Sequence, residues 1–162
     1  MALDLARGLL LLVHLGASAA WLGAMLYSLV VVRPRVREFF ADPDEREDFV
    51  VALATDARWK VLGLAAALAL SGAGLIGVAV AEADDPGARW IVLVLVKAAL
   101  LAASVALFAY LSWRLWPARF LAHVGGLPSL DAVRRRFDRL ALVLAASVAA
   151  NFVLGVAAAV AR

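Results

Sequence analysis

The chain has no cysteine. Disulfides, thiolate metal sites, iron–sulfur ligation and covalently attached c-type haem are therefore excluded together. Only two methionines and two histidines occur in 162 residues, so a relay of soft copper ligands across the chain has little to build on. Charge is scarce as well. Asp, Glu, Lys and Arg make up 18% of the residues, against roughly a quarter in soluble domains. The formal charge of +3 comes from basic residues placed beside apolar runs, which does not point to nucleic acid as a partner.

What remains is apolar: 65% of the chain, with a mean hydropathy of +0.92. A bilayer-spanning helix needs about 20 apolar residues, and four segments qualify: Gly8–Val32, Val61–Ala81, Trp90–Trp113 and Leu140–Ala161. The expected fold class is all-α, a polytopic membrane protein with four spanning helices in a single domain over residues 1–162. The first run could be mistaken for a signal peptide, with Arg7 before it and Ala17-Ser18-Ala19 within it. It continues past that site and ends in Arg33-Pro34-Arg35-Val36-Arg37, a stop-transfer flank, so it is read as a span.

Basic residues set the expected topology. Arg33, Arg35, Arg37, Arg46, Arg58 and Lys60 lie between the first and second segments. Arg114, Arg119, Arg134, Arg135, Arg136 and Arg139 lie between the third and fourth, whereas the opposite side has Arg7, Arg89 and Arg162. This asymmetry predicts a multi-pass protein of the cytoplasmic membrane with both longer loops inside and both termini outside.

The two halves match in part. Leu12–Pro34 aligns without gaps on Leu95–Pro117, placing Tyr27 on Tyr110, Pro34 on Pro117 and His14 on Lys97. The second segments open alike, Arg58–Ala65 against Arg136–Val143. The pattern predicts two related helical hairpins arranged as a parallel repeat about the membrane normal.

His14 and Lys97 are the ionisable side chains well inside apolar segments. A lysine at the centre of a spanning helix costs roughly 2.5–3.5 kcal/mol, so such residues are candidate functional groups. The bland alternative is a packed histidine and a lysine that snorkels to the headgroups. At 100° per residue, His14, Ser18, Trp21, Met25 and Ser28 share one stripe of the first segment. Lys97, Leu101, Ser104 and Phe108 share a face of the third. Ser147, Asn151, Gly155 and Ala159 on the fourth segment, and Gly63, Ala67 and Ser71 on the second, fit close helix packing. The candidate site is therefore His14, Ser18, Trp21 and Met25 facing Lys97. Ser18 or Asn151 is expected to accept a hydrogen bond from the second imidazole nitrogen.

In the first long loop, Asp42 and Pro43 read as the N-cap and first residue of an amphipathic or solvated helix that leads into the second segment. Glu82, Asp84 and Asp85 read as a solvated acidic turn, and His123 as incidental.

"HLGASAAWLGAML" (His14–Leu26), "RWKVLGLAAALALSGAGL" (Arg58–Leu75), "LVLVKAALL" (Leu93–Leu101) and "RRRFDRLALVLAAS" (Arg134–Ser147) together resemble the CopD-type copper-resistance membrane domain. That resemblance implies a helical membrane domain concerned with copper binding or transport, with His14 and Met25 as the available metal ligands. The opening His-x6-Trp-x-Gly with a later intramembrane lysine is also similar to HemJ-type protoporphyrinogen oxidases. That likeness implies a haem b or porphyrin site at His14, Trp21, Gly23 and Lys97, with His14 as axial ligand and Lys97 facing a propionate or serving as the opposite axial ligand. Three expectations follow: a copper-associated protein, a haem- or porphyrin-binding oxidoreductase, and a non-catalytic partner subunit. All three place the chain in a lipid bilayer, and all leave a homo-oligomer open.

Overall fold

The computed structural model describes residues 1–54, 57–82 and 87–160. Seven α-helices follow in chain order: α1 (Ala2–Tyr27), α2 (Arg33–Phe39), α3 (Pro43–Ala54), α4 (Ala57–Glu82), α5 (Ala88–Tyr110), α6 (Trp116–Val124) and α7 (Leu130–Val160). There is no strand among the described residues. Among the described residues, four helical runs are long and apolar enough to cross a membrane: Leu3–Phe39, Ala57–Glu82, Ala88–Val124 and Leu130–Ala158. The protein is an all-α, multi-pass membrane protein. Leu12, Leu70, Leu95 and Val153 are each more than 60% exposed, an outward apolar surface that suits lipid and not water.

The spans are longer than the apolar runs suggest. The first does not stop at Val32: α1 passes through a π-helical turn, Ser28–Val32, into α2. The third does not stop at Trp113, because α5 passes through a π turn, Leu111–Leu115, into α6. The cause is proline. Pro34 and Pro117 have no N–H, and their rings crowd the carbonyls four residues back, Val30 and Trp113. Both of those carbonyls sit within the π turns, where the wider i→i+5 register (Arg33 N–H to Ser28 O, Trp116 N–H to Leu111 O) makes room. At 37 residues each, these helices measure roughly 55 Å, well beyond a hydrocarbon core of about 30 Å. Their C-terminal parts project beyond the bilayer.

The two hairpins predicted from the self-match are present. α1 packs along α4 and α5 along α7, while α1 leans on α7 across the hairpins. One offset relates His14 to Lys97, the first π turn to the second, and Pro34 to Pro117. In the return helices, the glycines facing the ionisable pair, Gly72 and Gly155, follow this same offset. The aligned openings Arg58–Ala65 and Arg136–Val143 do not, so the sequence match of the second segments is out of register with the structural one.

The apolar core lies toward the loop end. Trp21, 2% exposed, packs with Ala17, Ala65, Leu68, Leu111, Leu115, Leu144 and Val148. Beyond it, α3 begins as the sequence indicates. Asp42 Oδ1 accepts from the Asp44 N–H at 2.9 Å, with Pro43 as the first helical residue. The solvated reading of α3 fails at Glu47, which is 1% exposed and bonded to Arg119 and Arg134. The Arg119 guanidinium also lies over Trp116 and Phe137, 5.5 and 5.4 Å from their centroids. His123 is not incidental, since its Nε2 sits 3.0 Å from Asp48 Oδ1. The acidic turn at residues 83–86, together with Asp56, lies outside the described residues.

Candidate functional site

A cavity of about 840 Å³ separates the hairpins, within the range typical of small-molecule sites. It runs from Arg7 and Trp90 at the N-terminal end of the bundle to Trp21, Ala65 and Ser104. The fourteen residues from Arg7 to Trp21 correspond to roughly 20 Å of depth. Its walls are mainly apolar. Among the described residues, the charged ones lining it are Arg7 and Lys97, both cationic.

His14 and Lys97 meet inside it. Lys97 Nζ lies 3.3 Å from His14 Nε2, a long hydrogen bond joining α5 to α1. The other imidazole nitrogen, Nδ1, is 2.9 Å from Ser71 Oγ on α4. The Ser71 hydroxyl is 2.5 Å from Ala67 O and 3.4 Å from Leu68 O, which commits its hydrogen to the Ala67 carbonyl. Its oxygen can then only accept from His14. The imidazole is thereby held with the proton on Nδ1 and a lone pair on Nε2, directed at Lys97 and the cavity. An imidazole whose far nitrogen is fixed by a hydrogen bond is the usual form of a metal-binding histidine.

Ser71 therefore takes the role expected of Ser18 or Asn151. Ser18 lines the same cavity. Asn151 lines it too, but its Nδ2–H donates to the Lys97 carbonyl at 3.0 Å and ties α7 to α5. In the sequence Ser71 reads as a packing spacer, because it stands among alanines and glycines. Met25 packs on the Trp21 core cluster and is not among the residues lining the cavity. Trp21 is the floor of the site. Ser104, 2% exposed, turns its hydroxyl back to Leu100 O at 2.8 Å.

Two glycines make the pair fit. A Cβ on Gly155 would stand 2.8 Å from Lys97 Nζ, and one on Gly72 would stand 3.3 Å from His14 Cε1. Each hairpin thus lays the ionisable side chain of its first helix over a bare backbone position of its second.

The arrangement offers one lone-pair nitrogen, two cations and an apolar enclosure. No group of three or more His, Asp or Glu side chains able to hold a metal ion occurs among the described residues. No protein-family model, no curated protein and no solved structure matches this chain.

Proposed function

We propose that the chain is a membrane-embedded binding protein whose central cavity takes haem b or a related porphyrin. The observation that carries this reading is an oriented His14, with Nε2 facing a large apolar cavity whose charged lining, among the described residues, is Lys97 and Arg7. The donor set fits such a ligand. His14 Nε2 would hold the iron, and Ser71 fixes the imidazole through Nδ1. Lys97, on four methylenes, turns from the imidazole to a carboxylate, and Arg7, paired with Glu82 at 3.3 Å, adds a guanidinium at the mouth. Trp21 and its neighbours shut off the loop end. When bound, haem supplies one-electron redox chemistry at its iron. The protein's own contribution is to orient, to exclude water and to balance charge.

Copper binding is the second reading. The same Nε2 lone pair favours it, since neutral imidazole suits copper as well as haem iron. In either case the positive-inside asymmetry supports a multi-pass protein of the cytoplasmic membrane with its longer loops in the cytoplasm.

The visible absorption spectrum and metal content of the purified protein test the proposal. A Soret band with reducible α and β bands supports haem. A colourless protein holding copper supports the second reading. Neither pigment nor copper leaves a partner subunit in which the polar residues only fix packing.

A further inference from the structure

Among the described residues, the four long helices pack closely along three seams. α1 packs on α4 and on α7, and α5 packs on α7. Between α4 and α5 there is no comparable contact among those residues. At the loop end this fourth seam is bridged, because Trp59 on α4 stands edge-on to Trp113 with ring centroids 6.4 Å apart. Beyond that bridge the cavity lies between the two helices, and residues of both line it.

The residues flanking the seam belong to the cavity wall and to the outer surface at once. Ala69 and Ala73 on α4, and Ala98 and Ala102 on α5, line the cavity and are exposed. They occupy the free flanks of their helices. On α4 the other flank carries Ser71 and Gly72, which face His14 of α1. On α5 the other flank is held by α7, whose Asn151 and Gly155 lie against Lys97. The free flanks run on into the outward apolar surface. Val80 lies two turns after Ala73 and Leu95 two turns before Ala102, so each shares the face of its alanine. Val80 and Leu95 are both more than half exposed. Alanine at the four flanking positions leaves this stretch of the seam free of bulky side chains.

We propose that the cavity is loaded sideways from the bilayer: an amphiphile dissolved in the membrane enters between α4 and α5 and sets its carboxylate on Lys97. Lipid is the phase that meets this seam, because both flanks lie within membrane-spanning helices. A ligand arriving from lipid is concentrated there already, and its apolar body passes from acyl chains to a mainly apolar wall. Its carboxylate needs a cation inside the bundle. Lys97 Nζ supplies one, on the cavity side of α5 and beside His14. An ionisable group at this depth in a span is what a ligand path requires and packing does not. The entry route rests on the packing alone. The carboxylate rests on the reading of Lys97 given above, and a porphyrin with its propionates is one member of the class.

Photo-crosslinking of the native protein in lipid vesicles, with adducts mapped by peptide mass spectrometry, tests the route and the ligand class. A phosphatidylcholine with a diazirine in its acyl chain should label Ala73 and Ala98 within about threefold of the outward-facing Leu12. A diazirine-bearing palmitic acid should label Leu101, inside the cavity, about fivefold or more above its methyl ester. Lys97→Met should bring acid and ester within about twofold, and phospholipid labelling of Leu12 reports that the variant is inserted. Ala73 and Ala98 spared by the phospholipid while Leu12 is labelled overturns the proposal. Equal labelling of Leu101 by acid and ester in the native protein overturns it too, as does an acid preference that survives in inserted Lys97→Met. A colourless, copper-free preparation that gives the expected pattern refutes the haem and copper readings and upholds this one.

Discussion

His14 Nε2 and Lys97 Nζ stand 3.3 Å apart, joining two side chains that hold equivalent places in the two hairpins. The repeat thus brings a base and a cation together across its own interface. Such a pair is poorly explained as packing, since an alanine or leucine at either position would pack without bringing a polar group into the bilayer.

Lys97→Met should separate stability from function. The lysine carries a membrane-insertion cost of roughly 2.5–3.5 kcal/mol at mid-helix, which methionine removes. The variant is expected to melt higher than the native protein in the same detergent, by an equivalent of about 1–3 kcal/mol, while binding an acidic ligand more weakly. Differential scanning fluorimetry with a ligand titration checks both. A lower melting temperature would mark Lys97 as a structural residue.

Ser71 positions His14 without facing the ligand. Ser71→Ala removes the hydroxyl at Nδ1 and should cost about 10- to 100-fold in ligand affinity, the usual effect of losing such a partner. Ser71→Thr keeps a hydroxyl and should recover most of it, while Ser18→Ala should change affinity little. Binding titrations of the three variants decide the matter, and equal losses in Ser71→Ala and Ser71→Thr would point to packing instead.

Gly155→Ala places a methyl group 2.8 Å from Lys97 Nζ. The lysine end is flexible, so the helices should stay packed while the ammonium is pushed off His14. The expected result is a normal melt with altered ligand affinity. A fall in stability of about 2 kcal/mol or more would show that the backbones yield in place of the side chain.

Glu47 should give the fold an acid limit. Burial pushes its carboxyl up, but the hydrogen bonds and charges of Arg119 and Arg134 outweigh that and hold it below the ordinary carboxylate range. The folded state therefore keeps Glu47 ionised to lower pH than the unfolded chain does. Its stabilisation is present above the unfolded value of about 4.3 and is lost as pH falls through the folded one. Thermal melts from pH 7 downward should steepen below about pH 4. Glu47→Ala should be less stable by about 3–5 kcal/mol at neutral pH and lack that part of the slope.

The spans and hairpins were legible because a 20-residue apolar run has few other uses, and because Tyr27/Tyr110 and Pro34/Pro117 kept the repeat in register. The α3 start was legible from Asp42-Pro43, a local signal. His14 and Lys97 stood out as polar groups in apolar runs, and the repeat coupled them. Ser71 and Glu47 were hidden for opposite reasons. A serine among alanines carries no signal until its partner on another helix is known, and a glutamate flanked by Asp48, Arg46 and Glu45 looks solvated until α6 and α7 cover it. The prolines marked the places where the helices change register, but a π turn lets a helix continue where proline would be read as its end.

The most direct test of the site is the ligand content of His14→Ala purified from the same membranes as the native protein. Removing the imidazole takes away the cavity's one lone-pair nitrogen while leaving the apolar spans intact. The account predicts that the variant inserts and elutes as the native protein does, but retains less than about a tenth of its haem or copper. A variant that carries the native amount of ligand would contradict the account and return His14 to a packing role.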